Sequence, residues 1–461
     1  MISPDGLRGE ALGAQRQGTP LSASPVTYWN PRLECMPRAE LERYQIGKLG
    51  EQLAYVYERS PFYRRKLDAA GIRPGEIRSI DDVRHIPFTV KDELRESQEQ
   101  SPPWGDFGCV TPREAVRVFQ TSGTTGRPVR VMLSRKDWLE NYYEQFSYFR
   151  CGFGLTEADV LFVPFNYGLF VAWWGFQMAM EKAGLMVIPG GGLSSKDRLR
   201  AMLDWQATTV CGTPSYLLYL AETARKNGID LPGSSIVKVV AAGEPGAAVL
   251  ATKKALESQW GAECFDDVGS TEISNFGFEC IRHKGTHVVE SMLLAEVLDP
   301  ETLAPLPDGV VGELVLTNLC CESMPLIRYR TRDLVRFDRT PCECGRTFVR
   351  LDGGVLGRTD DMFQFAGVNI FPTQIQNLLH EIDDFSQEYQ IVVPQMGSGR
   401  HLRIRVEPAH ERVAQVRMKS AVDYMVETVK YRVGVTPDVE VCAIGSLPRV
   451  EGKARRVVRE N

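Results

Sequence analysis

Apolar positions change their spacing several times along this chain, and each change predicts a different element. Residues 38–70 carry them at helical intervals through LERYQIGKLGEQLAYVYERSPFYRRKLDAAG. Pro61 interrupts that pattern, so a kink or a pair of helices is expected there. Within residues 77–99, IRSI reads as strand-like and TVKDELRE as the charged start of a helix. From about residue 116 the texture alternates. DVLFVPF (159–165), GLMVIPG (184–190), TTVCG (208–212) and SIVKVVAAG (235–243) are apolar runs of strand length. Between them lie helical stretches such as LFVAWWGFQMAMEKAG and SYLLYLAETARKNG. Near-continuous apolar strands separated by helices predict an α/β sheet covered on both faces.

The spacing changes again at residues 293–337. LLAEVLDPETLAPLPDGVVGELVLTN has strands joined by short Pro, Asp and Gly turns, which is the pattern of a β-rich meander. Residues 361–461 contain EYQIVVP, HLRIRVEP and the helical RVAQVRMKSAVDYMVETVKYRVG, a segment sized for a small α+β domain. The expected fold class is α/β: a large N-terminal α/β domain with a β-rich subdomain, plus a small C-terminal α+β domain. The expected divisions are a flexible leader at 1–27, the large domain at 28–359 and the small domain at 360–461.

Composition narrows the function. The chain has 461 residues, with 54 Lys plus Arg against 59 Asp plus Glu, a net charge of -5. That balance argues against a nucleic-acid partner, which selects a basic excess. No stretch approaches the roughly 18 consecutive apolar residues of a membrane helix, so no membrane partner is expected. The longest apolar segment, 160–190, is broken by Pro164, Asn166, Gln177, Glu181 and Lys182. MISPDGLRGEALGAQRQGTPLSASP has no basic start followed by an apolar core, so it does not read as a secretory signal, and a cytoplasmic protein is expected. Eleven cysteines, an odd number scattered through a long chain, are expected as reduced thiols.

The strongest local signal is QTSGTTGRP at 120–128. Four hydroxyl residues and two glycines fill the six positions from Thr121 through Ser122, Gly123, Thr124 and Thr125 to Gly126. Such a loop turns backbone N–H groups toward one point and adds hydroxyl donors, a nest for a polyanion. It is not a Walker A loop, which needs GxxxxGK[ST]. TSGTTGRP resembles the phosphate loop of the adenylate-forming superfamily: acyl-CoA synthetases, peptide-synthetase adenylation domains and luciferases. Further segments resemble that superfamily in the same order. They are AAGEP (241–245), DDVGSTE (266–272), IRYRTRD (327–333), the hinge-like GRTDDMFQFAGVNIFPTQIQ (357–376) and the lysine-bearing SLPRVEGKARRVV (446–458). YERSPFYRRKL, IPFTVKDELR, MPLIRYRTRD, CECGR and DDMFQFAGVNIFPTQI resemble one branch, the phenylacetate–CoA ligase family, and extend the likeness back to about residue 28.

The resemblance implies a chemistry that suits these residue types. A carboxylate oxygen attacks the α-phosphate of ATP, pyrophosphate leaves, and a thiol then displaces AMP. Several negative charges must meet, so the site needs cations, oriented N–H groups and a metal. By resemblance, the six residues from Thr121 to Gly126 hold the β- and γ-phosphates, Glu272 holds Mg²⁺ and Thr271 touches the α-phosphate. Gly243, Glu244, Asp266, Asp267, Val268, Gly269 and Ser270 line the nucleotide side. Asp333 accepts from the ribose hydroxyls, and Arg358 reaches ribose or phosphate. Lys453 bridges the substrate carboxylate and the α-phosphate. The small domain is then mobile and swings about Asp360 between the two steps.

Three departures from the family pattern stand out. Val268 replaces an aromatic residue, and Arg127 replaces the commoner lysine of the phosphate loop. NYGLFVAWWG (166–175) replaces a Gly-rich stretch. Tyr167, Phe170, Trp174, Ala242 and Gly243 are the acyl-pocket candidates, an apolar aromatic lining that suits a flat aromatic acid. Trp173 and Trp174 read equally as pocket-lining indoles or, one or both of them, as helix core. The expected activity is an AMP-forming aryl or arylacetic acid–CoA ligase using ATP, Mg²⁺ and coenzyme A. The alternative is transfer to a carrier-protein thiol or an amine. A homodimer is compatible with this reading.

Two cysteines in PCECG, Cys342 and Cys344, do not make a metal site alone. Upstream, CIRHKGTH offers Cys280, His283 and His287. Zinc held structurally by Cys280, His287, Cys342 and Cys344 is the expected arrangement, with His283 as the alternative fourth ligand. Some members of the branch resemble zinc proteins of this kind.

Overall fold

The structure is a computed structural model that describes residues 25–121, 127–244, 246–365, 368–393, 402–449 and 456–459. The periodic N-terminal stretch forms helices Arg38–Arg59 and Pro61–Ala69, with Ser60 between them. Ser60 caps the second helix by accepting from the Tyr63 amide, and Pro61 takes the first helical position, where its missing N–H costs nothing. IRSI is not a strand. The Asp82 carboxylate accepts from the Arg78 amide and from the Ser79 amide and hydroxyl, which closes a 3₁₀ turn over Ile80–His85. Local side-chain capping overrides the β propensity of its two isoleucines.

Fourteen strands of the large part follow in chain order. β1 (Ala115–Gln120) and β2 (Arg130–Ser134) form a hairpin. β3 (Val160–Val163), β4 (Met186–Pro189), β5 (Thr209–Gly212), β6 (Lys238–Ala242) and β7 (Glu263–Ser270) lie parallel, in the order β4-β3-β5-β6-β7. β8 (Ser274–Glu279), β9 (Thr286–Val288), β10 (Leu293–Leu298), β11 (Val311–Asn318), β12 (Tyr329–Asp338) and β13 (Arg350–Leu351) continue the same sheet antiparallel, as β8-β9-β13-β12-β11-β10. β14 (Gly357–Arg358) pairs with β12. The expected α/β order and the expected meander are therefore one continuous sheet.

The inner parallel strands β3, β5, β6 and β7 are largely buried on both faces, and their side chains alternate between two cores. Val210, Val239, Ala241 and Cys264 join a core with Tyr216, Leu217, Leu256 and Trp260 from helices Pro214–Lys226 and Leu250–Trp260. Cys211, Val240, Ala242 and Phe265 join the opposite core with Phe146, Phe149, Phe176 and Met180 from helices Tyr142–Gly152 and Ala172–Lys182. A third core lies at the C-terminal end. There β15 (Phe363–Phe365) pairs with β16 (Val368–Ile370). β17 (Phe385–Val393), β18 (Leu402–Pro408), β19 (Pro437–Val441) and β20 (Val457–Arg459) make a sheet in the order β19-β18-β17-β20. Helices Pro372–His380 and Gln415–Arg432 cover it with Ile375, Leu379, Met425 and Val429.

Of the leader expected at 1–27, residues 1–24 lie outside the described residues. Val26 packs on the core, and the Thr27 hydroxyl donates to the Cys151 carbonyl at 3.0 Å. Among the described residues no helix is long and apolar enough to cross a membrane.

One buried ion pair ties the sheet together. Lys238 Nζ meets both Asp159 oxygens at 3.0 Å and also donates to the Gly154 carbonyl at 2.9 Å. Lys238→Ala leaves the Asp159 charge buried, so unfolding in denaturant should show a loss of about 3 kcal/mol. A loss under about 1 kcal/mol would mean that the two charges are effectively solvated.

Candidate active site

Described residues drawn from the motifs lie at the carboxyl ends of β6 and β7 and along β12 and β14. In open α/β sheets, ligands bind in the crevice outside the carboxyl ends of the strands. Thr121 closes the base of the phosphate loop. Its amide donates to the Val129 carbonyl at 3.0 Å, and its hydroxyl accepts from the Val129 amide at 3.0 Å. The two ends of the loop are thus pinned by main chain. Ser122, Gly123, Thr124, Thr125 and Gly126 lie outside the described residues, as does Lys453.

Thr271 and Glu272 sit in the turn between β7 and β8. The Glu272 side chain is almost fully buried and pairs with Lys91 Nζ at 2.7 Å. Lys91 is the first residue of helix Lys91–Gln100. The motifs did not single it out. One signal was present: a lysine at a helix N-terminus opposes the helix dipole, so something else must favour it. Here that something is Glu272.

Asp333 on β12 lies opposite Arg358 on β14, and Arg358 Nη1 donates to Asp333 Oδ1 at 2.8 Å. Arg358 Nε also donates to Asp360 Oδ1 at 2.9 Å. Arg332, at φ +66, reaches Asp360 at 3.7 Å and Asp92 at 3.2 Å. Burial pushes the Asp360 carboxyl up, but Arg358 and Arg332 outweigh it and hold it below the usual carboxylate range. For Arg358, burial alone favours the neutral form, yet Asp333 and Asp360 raise its pKa.

On the other side, Glu244 Oε1 accepts from the Ser215 amide at 2.7 Å, at the start of helix Pro214–Lys226. Gly243 has φ +91, a left-handed conformation that favours glycine. Arg456 Nη2, from the C-terminal part, donates to Ser215 Oγ at 3.4 Å. Val268 is packed into the core opposite Gly277 of β8. A Cβ on Gly269 would sit 2.6 Å from the Asn275 Cα, so only glycine fits where β7 and β8 shift register. The Ser270 hydroxyl accepts from the Ile273 amide at 3.4 Å.

The two consecutive acids part company. Asp266 Oδ2 accepts from the Thr286 hydroxyl at 3.1 Å, on the face of Cys264. Burial and the nearby Glu279 push it up to about 7. Asp267 follows Phe265 onto the opposite face, and its Oδ1 accepts from Asn275 Nδ2 at 2.5 Å. Burial, reinforced by Asp266, pushes it up to about 8.

Tyr167 and Trp174 place their rings 4.6 Å apart, and Trp174 Nε1 donates to the Gly168 carbonyl at 3.0 Å. The Arg117 guanidinium stacks on Trp174 at 4.4 Å. Trp173 is core, edge-on to Phe165 and Phe176. Phe170 is 46% exposed, and Ala242 ends β6 on the Trp173 face.

Cys280, His287, Cys342 and Cys344 are all buried, with ligand atoms within 4.8 Å of one another. Cys280 Sγ lies 3.9 Å from Cys342 Sγ, and Cys344 Sγ lies 3.5 Å from His287 Nε2. Tetrahedral zinc, with bonds of about 2.3 Å to sulfur and 2.0 Å to nitrogen, would set these separations near 3.8 and 3.5 Å. The other ring nitrogen of His287, Nδ1, faces the Phe348 carbonyl at 3.2 Å, which fixes the tautomer with Nε2 inward. The structure brings His287 into this group and places His283 elsewhere, between Lys253 at 2.9 Å and Glu263 at 3.3 Å.

This fold and these motifs define an adenylate-forming enzyme. The AMP-binding enzyme family matches residues 64–320, and the AMP-binding enzyme C-terminal domain matches residues 367–460. A phenylacetate–coenzyme A ligase of Thermus thermophilus is 37% identical over 449 residues, covering 93% of this chain and 99% of its own. A 2-hydroxyisobutyryl-CoA ligase solved in the postadenylation state with 2-HIB-AMP superposes with a TM-score of 0.89 at 31% identity, covering 94% of this chain and 92% of its own. In the thioesterification state, with 2-HIB-AMP and CoA, that ligase scores 0.71 at 32% identity over the same shares. The chain belongs to the phenylacetate–CoA ligase family of the adenylate-forming superfamily. It is an acid–thiol ligase of the AMP-forming type, with ATP and coenzyme A as co-substrates. The relatives named here are coenzyme A ligases and lend no support to a carrier-protein or amine acceptor.

The raised Asp267 carboxyl generates a test. Its folded pKa of about 8 lies far above the unfolded value of about 4, so the folded state holds the proton more tightly. Wild-type stability must therefore fall, from this group, as pH rises from about 4 to about 8. Asp267→Asn removes that term. Denaturant unfolding from pH 5 to 8 should show the variant gaining on the wild type by up to about 1.4 kcal/mol per pH unit. A constant difference would mean that Asp267 is ionised throughout.

Proposed function

We propose that this enzyme activates an aromatic carboxylic acid of the phenylacetate, indoleacetate or substituted-benzoate kind and passes the acyl group to coenzyme A. The observation that carries the aromatic assignment is the Tyr167–Trp174 ring pair, 4.6 Å apart beside Arg117. The T. thermophilus relative, a phenylacetate–coenzyme A ligase, supports it.

In this reading one oxygen of the acid attacks the α-phosphate of ATP and pyrophosphate departs. The coenzyme A thiol then attacks the carbonyl carbon, and AMP leaves. The loop from Thr121 to Gly126 holds the outer phosphates through backbone N–H groups and hydroxyls. Glu272 and the Thr271 hydroxyl offer hard oxygen donors that fit Mg²⁺, whose chemistry there is neutralisation of phosphate charge. Lys91 adds a second cation beside Glu272. Asp333, held by Arg358, accepts from the ribose hydroxyls, and Gly243 and Glu244 border the adenine and acyl group. Lys453 bridges the carboxylate and the α-phosphate. Asp360, between Arg358 and Arg332, marks the bend between a large domain at 28–359 and a small one at 360–461.

Zinc fits the Cys₃His group in donor set and spacing, and its role would be structural. It would fasten β8 and β9 to the 342–344 turn. The Tyr28 hydroxyl, donating to the Cys344 carbonyl at 2.5 Å, would extend that tie to the N-terminal segment.

Pyrophosphate release with ATP, Mg²⁺ and a panel of aromatic acids, with and without coenzyme A, tests the activity. Turnover with particular aromatic acids that becomes sustained only with coenzyme A is the expected result. Activity confined to short aliphatic acids would overturn the aromatic assignment. Lys453→Ala should lose at least about 100-fold in adenylation while still converting a supplied acyl-adenylate to thioester. Metal analysis of the purified protein should find about one zinc per chain, and Cys344→Ser should lose it with a fall in thermal stability. Full-length protein that is stable and zinc-free would remove the metal from the assignment.

A further inference from the structure

Hydrogen bonds between the C-terminal part and the large sheet land on the first turns of two helices. Arg456 Nη2 donates to Ser215 Oγ at 3.4 Å, in helix Pro214–Lys226. The Thr252 hydroxyl bonds His380 Nδ1, in helix Leu250–Trp260. These helices follow β5 and β6 in the chain, so both contacts lie toward the carboxyl edge of the sheet. Ser215 also reaches the candidate site, because its amide donates to Glu244 Oε1 at 2.7 Å. Lys453 precedes Arg456 by three residues.

Both ends of the Thr252–His380 bond are fixed. Thr252 is 1% exposed. Its helix is held by Leu256 and Trp260 in the core and by Lys253, whose Nζ meets Glu279 Oε1 at 2.6 Å. His380 ends helix Pro372–His380, whose Leu378 and Leu379 enter the C-terminal core. Beside this contact the two parts stand apart. A cavity of about 990 Å³ lies between them, lined by Tyr219, Glu222 and Lys254 on one side and by His380, Glu381 and Phe385 on the other. His380 thus borders open space and meets Thr252 across it. Neither residue lies in a segment that resembles the superfamily's motifs. The whole structure is nearer to the postadenylation form of the 2-hydroxyisobutyryl-CoA ligase, at a TM-score of 0.89, than to its thioesterification form, at 0.71.

We propose that Thr252 and His380 are positioning residues for the adenylation step: their hydrogen bond seats the C-terminal part so that the lysine-bearing segment reaches the carboxyl edge of the sheet, and it parts for the thioester step. This rests on the two-step reading and the role of Lys453 proposed above. The pair acts through the placement of Lys453 and not on the substrates. One hydrogen bond of this kind shifts a two-state ratio by about three- to tenfold, enough to tune a seating that must form and break in every cycle.

The test uses the full-length enzyme and two readouts. The first, hydrogen–deuterium exchange, needs no substrate. Thr252→Val keeps the shape of the side chain and removes the hydroxyl. It should speed exchange by about three- to tenfold in helix Pro372–His380, which carries no substitution, and leave helix Tyr142–Gly152 unchanged. The second readout separates the half-reactions. Pyrophosphate release with ATP, Mg²⁺ and phenylacetate should slow by a similar factor in Thr252→Val and in His380→Phe. Conversion of supplied phenylacetyl-adenylate by coenzyme A should stay within about twofold of the wild type. Thr252→Ser and His380→Asn keep a hydroxyl and an acceptor, so both should stay near the wild type. The double variant Thr252→Val with His380→Phe should be no slower than either single one, since both remove the same bond. Unchanged exchange in helix Pro372–His380 overturns the assignment. So does a variant that slows both half-reactions equally. Lys453→Ala is run beside them. If it is silent in adenylation while Thr252→Val matches the wild type, the docking role alone falls. If Lys453→Ala adenylates normally, the two-step reading falls with it.

Discussion

A strand sends neighbouring side chains to opposite faces, and in this molecule that constraint decides what each buried residue can do. The parallel strands β5, β6 and β7 are covered on both sides, so neither face is free for polar residues. Val210 and Cys211, Val239 and Val240, and Cys264 and Phe265 each divide between two apolar cores. Where the strands end, the same alternation divides Asp266 from Asp267. The Asp266 carboxyl accepts from Thr286, while its amide donates to the Glu279 carboxylate that Lys253 holds, and the Asp267 carboxyl accepts from Asn275. Were the register one residue off, their partners would be exchanged and each acid would face the wrong core.

The second constraint is charge. The chemistry of the family collects a carboxylate and a triphosphate, and three of the acids that the motifs single out are paired with cations. Glu272 has Lys91, Asp333 has Arg358, and Asp360 has Arg358 and Arg332. Each partner comes from a different element: a helix start, β14 and the bulge of β12. Pairing at this edge holds long side chains in defined rotamers before ligands arrive, the kind of preorganisation that electrostatic stabilisation requires. It also explains why these charges tolerate burial, since a lone buried carboxylate would instead take up a proton. Asp267, whose side-chain partner is the Asn275 amide and not a cation, is pushed up to about 8 by burial.

Much of this could be read from residues alone. The alternation of apolar runs predicted the parallel strands, and Pro61 marked a true helix boundary. Glu272, Asp333 and Arg358 came from motifs, and the fold brings Asp333 and Arg358 into contact. Lys91 escaped because a lysine in TVKDELRE looks like any solvated helix charge until its partner 181 positions away is known. His283 and His287 could not be told apart by spacing. The pairing of β9 with β13 sets His287 opposite Arg350, near the 342–344 turn, while His283 lies in the turn before β9 at φ +51. Trp173 and Trp174 were equally ambiguous. On a helix they project about 100° apart, so one enters the core and the other reaches Tyr167. IRSI failed for the opposite reason, since side-chain capping is more local than any strand pairing.

The join between the two parts of the chain follows from which contacts cross it. The C-terminal core of Phe363, Ile391 and Met425 is separate from the two cores of the large sheet. Among the described residues, hydrogen bonds that cross it run from Arg456 to Ser215 and from the Thr252 hydroxyl to His380 Nδ1. Burial, with Arg456 nearby, pushes His380 down to about 4, so its ring is neutral and its Nδ1 can accept from Thr252. Polar contacts of this kind exchange with water at small net cost, whereas an apolar interface would have to expose its area. The segment that joins the parts carries Asp360 in ion pairs with Arg358 and Arg332, and partly exposed pairs are likewise cheap to remake. A rotation there leaves every apolar core intact. Arg456, fixed to Glu388 at 2.6 Å and stacked on Tyr389, would carry the lysine-bearing segment with the small domain as one body. Were the small part to turn at this join, the hydrogen bonds and ion pairs named here would be remade, a cost that a ligand at the sheet edge could outweigh.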